Sequence, residues 1–141
     1  MKKILALSIV LFALYSCKKD DKTASKKDYL TSGSWIITTV VTDDDGDGTY
    51  EIDEYADFEA CYKDNIWTFK PDGMLEMDEG ATKCTPTDPQ VTTGQWQFTN
   101  NETGLTIETD SYVIEQLDAN QIVLRLAYGA NRSSKVTFSK H

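Results

Sequence analysis

The twelve residues Asp43-Asp44-Asp45-Gly46-Asp47-Gly48-Thr49-Tyr50-Glu51-Ile52-Asp53-Glu54 follow the pattern D-x-D-x-D-G-x5-E. Oxygen coordination of Ca2+ is the chemistry that suits this spacing. In such a loop Asp43, Asp45 and Asp47 each offer one carboxylate oxygen and Gly48 makes the sharp turn. Thr49 offers its backbone carbonyl, Glu51 holds a water and Glu54 binds with both oxygens. A strand-like run leads into the loop, so the expectation is a lone calcium loop and not half of a helix-loop-helix pair. Crowded carboxylates repel one another, which favours a cation; a solvated acidic turn is the competing reading. Nucleophilic catalysis has little to work with. His141, the last residue, is the single histidine, and without a base Ser-His and Cys-His mechanisms have no proton acceptor. Two cysteines beyond Cys17 are too few soft ligands for zinc. No pair of carboxylates is placed on facing strands as a glycosidase requires. No catalytic residue is assigned, and the chain is not expected to be an enzyme.

Elements that must carry this chemistry begin after a targeting segment. Lys2-Lys3 is followed by an apolar run from Ile4 to Leu14, too short to span a bilayer as a folded anchor. Leu14-Tyr15-Ser16-Cys17 resembles a lipobox, which implies cleavage before Cys17 and an acyl chain such as palmitate on that cysteine. The alternative is an ordinary secretory signal with a cysteine there by chance. The expected division is a signal peptide over 1–16, a lipidated tether over 17–28 and one domain over 29–141. The tether has no apolar residue beyond one alanine after Cys17. Lys18-Lys19-Asp20-Asp21 also resembles the signal that sends some Gram-negative lipoproteins to the cell surface. The expected place is therefore the bacterial outer membrane, facing the periplasm or the outside.

Cleavage would leave 125 of the 141 residues, enough for one core, with 12 basic against 23 acidic side chains and a net charge of −11. Nucleic acid and anionic lipid surfaces are poor partners for such a chain, and no nucleic acid is expected, since both need a basic face. With Cys17 taken by lipid, Cys61 and Cys84 remain as a pair, and in an oxidising envelope a disulfide is the default.

Gly33-Ser34-Trp35 opens the β-branched run Ile36 to Thr42. Asn65 to Lys70 and Met74 to Asp78 form a hairpin about Pro71-Asp72-Gly73, where proline presets φ and glycine accepts φ > 0. Five further runs follow: Gln95–Thr99, Leu105–Glu108, Tyr112–Leu117, Ile122–Tyr128 and Lys135–Ser139. Short turn-forming stretches separate them. Eight strands joined mostly by short turns predict an all-β, antiparallel up-and-down barrel, because closure removes both exposed edges. One short helix is expected over Glu54–Ala60, from Tyr55 and Phe58 at i, i+3. Tyr29–Ser32 reads as a helical turn packing a barrel end.

Gly33-Ser34-Trp35, the aspartate-rich loop, Cys61-Tyr62-Lys63-Asp64-Asn65, Asp72-Gly73, Glu79 to Cys84 and a second Gly-x-Trp at Gly94-Gln95-Trp96 occur in order. Together they resemble the lipocalin-like lipoproteins of Gram-negative envelopes. The resemblance implies a lipocalin-like barrel and a ligand-binding role with no fixed substrate. Lipocalins also keep an arginine near the end of the last strand, over the first tryptophan. Arg132 falls too early for that place and Arg125 lies on the wrong strand.

Trp35, Trp67, Phe69, Trp96, Phe98, Leu124 and Phe138 fall mostly on inward phases and are the candidate ligand-binding residues. Their other reading is a packed core. The functional expectation is a lipid-anchored envelope protein whose barrel binds a small apolar or amphipathic ligand, with a calcium-stabilised loop. The alternative is a filled barrel acting as a surface module that binds protein or glycan through its loops.

Overall fold

A strand exposes hydrogen-bonding groups along both edges, and a ring of strands leaves none of those edges open. The computed structural model describes residues 24–141. The expected signal segment 1–16, Cys17 and Lys18–Asp21 lie outside the described residues. The elements in chain order are α1 (Lys26–Leu30), β1 (Ser34–Asp43), β2 (Ile52–Asp53), a 3-10 turn (Glu54–Asp57), α2 (Ala60–Lys63), β3 (Ile66–Phe69), β4 (Met74–Asp78), β5 (Val91–Thr99), β6 (Gly104–Ile107), β7 (Asp110–Leu117), β8 (Gln121–Tyr128) and β9 (Arg132–Lys140). All ladders are antiparallel, in the order β2-β1-β3-β4-β5-β6-β7-β8-β9, and β1 also pairs with β9. Eight strands thus close into the expected up-and-down barrel, with β2 a two-residue rung on the far end of β1.

One helix was expected after the acidic loop, and the chain there is broken into the 3-10 turn and α2. Phe58 between them is extended (φ −64°, ψ 136°), which sets its ring 5.6 Å from Tyr55 and 6.5 Å from Tyr62. Aromatic packing outweighs helical continuity in so short a segment. A further helix, α1, starts at Lys26, where Ser25 and Asp28 form a reciprocal capping box.

α1 closes one end of the barrel. Leu30 is fully buried, and the Trp35 indole N–H donates to its carbonyl at 2.9 Å. Around them pack Phe69, Leu75, Trp96, Leu105, Ile122 and Phe138. Burial of side chains this size contributes about 1.5–3 kcal/mol each. Edge-to-face contacts of Trp96 with Phe69 (5.9 Å) and Phe98 (5.4 Å) extend this layer.

The two Gly-x-Trp units do similar work. Lys140 lies across the Trp35 ring with its ammonium 4.2 Å from the centroid and donates to Ser32 Oγ at 2.7 Å. A Cβ on Gly33 would come within 3.1 Å of the Lys140 chain. The cation that lipocalins place over the first tryptophan is therefore present here as a lysine in the last strand. Trp96 repeats the pattern, donating to the carbonyls of Lys70 and Met74 at 3.0 Å each. Gly94 leaves room for the Glu108 carboxylate, which accepts from the Gln95 N–H at 2.6 Å.

Two irregularities open the other end. β1 carries a bulge between Ile37 and Thr39 in its ladder with β9. Trp35 is buried before it, and Val40 and Thr42 after it, so the inward phase changes there. On its other side β1 pairs with β3 only over Ser34–Ile36 and with β2 at Val41 and Thr42. The 3-10 turn and α2 pack over the stretch between. A disulfide joins Cys61 of α2 to Cys84 in the β4–β5 connection, with Cα atoms 5.2 Å apart. Beside it Asp64 Oδ2 accepts from the N–H groups of Ala81 and Thr82 at 3.1 and 2.9 Å.

Closing the 23-residue separation removes denatured-state entropy worth roughly 3 kcal/mol. The double variant Cys61→Ser, Cys84→Ser should lose about that much unfolding free energy in a urea titration. An unchanged midpoint would show that the link contributes nothing.

Candidate functional site

The half of the barrel away from α1 is hollow. A cavity of about 230 Å3 is walled by Ile37, Trp67, Met77, Leu124, Val136 and Phe138, with Tyr112, Glu108 and Asp110 among its neighbours. It adjoins a second space of about 450 Å3 between the barrel and the segment 57–65, bounded by Phe58, Tyr62, Asp57, Glu59 and Asn65. Ile37 and Trp67 line both. The alternation of β3, β4, β8 and β9 supplies the inner wall. Both spaces lie beside the stretch of β1 beyond Ile36, where its pairing with β3 ends.

Of the seven residues expected to line a site, Trp67, Leu124 and Phe138 do so, the Trp67 and Phe138 rings meeting edge-on at 5.6 Å. Trp35, Phe69 and Trp96 are buried in the layer over α1, with Phe98 against it. They share the inward phase but sit at the capped end, where side chains fill the interior. Trp96 and Phe98 also border a polar groove of about 560 Å3 on the outer surface, near Lys27, Asp72 and Gln95. Ile37, Met77, Tyr112, Val136, Phe58 and Tyr62 were missed. Strand phase marks several of them as inward, but phase does not tell the hollow end from the filled one.

The hollow half is a poor medium for charge. Burial first, then Asp110 and Tyr128, push the Tyr112 phenol up to about 12, so it stays neutral through the physiological range. Burial likewise draws Lys140, at the other end, below its ordinary value.

The acidic loop lies at the open end. Carboxylate oxygens of Asp43, Asp47 and Glu51 come within 4.8 Å of one another. Asp43 is almost wholly buried and accepts from the N–H groups of Gly46 (2.7 Å) and Gly48 (3.1 Å). Asp45 accepts from Asp47 N–H at 3.1 Å, and Asp47 from Thr49 N–H at 2.6 Å. The hydrogen bonds from Thr49 hold Asp47 below the usual carboxylate range. Glu54 is turned elsewhere: it accepts from Thr42 Oγ1 at 2.7 Å and lies 3.6 Å from Arg132. Three of the five expected side-chain ligands thus converge, while Asp45 and Glu54 are not part of that cluster.

Polar contacts dock this loop on the start of β9. Arg132 pairs with Asp44 at 3.0 Å, Tyr50 shares a hydrogen bond with Ser133 at 2.9 Å, and Lys135 sits over the Tyr50 ring at 4.2 Å. Gly46 (φ +81°) passes so close to Asn131 that a Cβ would meet its carbonyl oxygen at 2.7 Å. These polar partners come from a distant part of the chain.

A closed barrel with a hollow apolar end is a binding architecture, and it fits a role with small ligands. A search of curated proteins finds no match to this chain. A family model described as a lipocalin-like domain matches residues 17–124, more than half of the chain. With its eight-stranded closure and tryptophan-anchored first strand, the chain belongs to the lipocalin-like domain family.

Proposed function

We propose that this is a lipid-anchored envelope protein whose barrel holds one small apolar or amphipathic molecule. The observation that carries the reading is the apolar cavity in the open half, which shares Ile37 and Trp67 with the space beside the 57–65 segment. A side-chain-filled barrel, as the loop-binding alternative requires, would leave no such space. An apolar naphthylamine dye should bind saturably, one per barrel, with enhanced emission. Val136→Trp, folded by circular dichroism, should lose most of that binding by filling the cavity. Absence of saturable binding by the native protein would overturn the reading.

The acidic loop is proposed to take Ca2+ through Asp43, Asp47 and Glu51, three oxygen donors already close together. Calcium in hundredfold excess over its Kd would stabilise the fold by about 2.7 kcal/mol. Glu51→Gln is the informative variant, because Asp43 also holds the turn through Gly46 and Gly48. Calorimetry should show heat of calcium binding and a melting temperature lowered by EDTA, both lost in Glu51→Gln. No heat, with melting indifferent to EDTA, would leave only an acidic turn.

Attachment to the outer membrane through acylated Cys17 is proposed from the lipobox. α1 sits at the capped end, so the described chain enters the barrel opposite its open end. Cys17→Ser should abolish palmitate labelling and release the protein from membranes. Unaltered membrane retention would sink this proposal.

A further inference from the structure

We infer that the cavity selects cationic amphiphiles, with an apolar chain lying in the hollow half and one protonated amine held at its rim by Glu108 and Asp110. This rests on the cavity reading above and names the ligand class it would take. Glu108 and Asp110 both line the cavity and both are exposed to solvent, so they stand where the apolar interior meets water. The barrel wall is short at this point. β5 begins at Val91, yet its ladder with β6 runs only from Trp96 to Thr99, and the β6–β7 turn that carries Glu108 ends the wall there.

Glu108 occupies that turn at a conformational cost. Its φ is +54°, in the left-handed region, where a two-residue hairpin turn ordinarily takes glycine or asparagine. Gly94 leaves it room, since a Cβ there would collide with its carboxylate. One of its oxygens accepts from the Gln95 N–H at 2.6 Å, where the β5–β6 ladder has ended. Glutamine would supply the same acceptor at the same reach, so that hydrogen bond alone calls for no charge. A strained residue that places a charge at a cavity mouth points to use of the charge by a guest.

The surrounding charges fix the sign of the head. Glu108 and Asp110 have no ion-pair partner among the described residues, and neither have Asp57 and Glu59, which border the adjoining outer space. Neither lining includes a lysine or arginine. Lys63 on the overlying segment is engaged with the Tyr55 ring (5.0 Å) and the Ala56 carbonyl (3.2 Å), while Arg125 and Lys135 pair with Glu115. An anionic head would therefore enter among like charges without a counter-ion, whereas an ammonium meets two unpaired carboxylates. The aromatic rings of Tyr112, Trp67 and Phe138 line the same cavity, and aromatic faces attract cations as well. An apolar interior repels a bare charge, so the chain enters and the ammonium stays at the rim.

The test displaces the naphthylamine dye from the native protein with matched ten-carbon compounds, decylamine, decanol and decanoate, at neutral pH below their aggregation concentrations. Decylamine should bind about tenfold tighter than decanol, and tighter still than decanoate, by a margin that shrinks as salt rises. Glu108→Gln with Asp110→Asn keeps the acceptor for the Gln95 N–H and should bring decylamine close to decanol. Asp110→Asn alone should lower the ratio of decylamine to decanol affinity severalfold, and decides the matter if the double variant does not fold by circular dichroism. Asp88→Asn with Glu102→Gln removes two charges from residues outside both linings and should leave that ratio unaltered. The inference is overturned if decanol or decanoate binds as tightly as decylamine, or if the rim substitutions lower the ratio no more than the distant pair. Saturable dye binding with no preference for the amine removes this inference alone, whereas failure of the native protein to bind dye removes the cavity reading with it.

Discussion

Trp35 is the side chain on which the closed end depends. Its ring is fully buried, its N–H is spent on Leu30, and the ammonium of Lys140 lies over its face. Two neighbouring elements, α1 and the first strand, are thereby joined to the distant last strand at one point. The same point is where the β1–β9 ladder begins, at Trp35 and Lys140. Barrel closure and end-capping are thus a single event. A sheet that failed to close there would expose two edges and an apolar face together. A buried indole without its acceptor would add the cost of an unmet donor.

The interior divides unequally because the two ends are sealed by different means. At the α1 end, large aromatic side chains interdigitate and leave no room for a guest. Toward the other end the cover is the segment 54–63, which contributes few buried side chains and is secured by a disulfide and by Asp64. A cover held from its edge can stand over a space that its own side chains do not fill. The fully buried large side chains Leu30, Trp35 and Phe69 gather in the filled half, and the larger share of unfilled space lies in the other. This separation is how a small barrel tolerates a cavity whose unfilled volume would otherwise weaken packing.

The acidic loop shows a second division of labour. Asp43, buried at the end of β1, spends its oxygens on the turn, and the loop flank is docked by Arg132, Ser133 and Tyr50. Position is thus settled by polar contacts to the start of β9. Asp47 also takes part in the turn through the Thr49 N–H, and its carboxylate lies close to those of Asp43 and Glu51. Glu54, the expected bidentate ligand, instead helps bind β1 to Arg132 through Thr42.

Strand number, antiparallel order, the hairpin at Pro71–Gly73 and the cysteine pair were all legible in the amino-acid order, because they follow from alternation, turn chemistry and counting. The inward phase of Trp67, Leu124 and Phe138 was legible for the same reason. Local pattern carries no information about height along a barrel axis, so Trp35, Phe69 and Trp96 looked equivalent to Trp67 although α1 caps their end. The bulge at Ile37–Thr39, which shifts the inward phase of β1, leaves no mark in a run of β-branched residues. Lys140 was overlooked because its role depends on a tryptophan more than a hundred positions away. Glu54 was singled out by spacing alone, and its contacts with Thr42 and Arg132 could not be read from that spacing. Sequence periodicity sets which side of a strand faces inward; only closure of the barrel decides what each inward side chain meets.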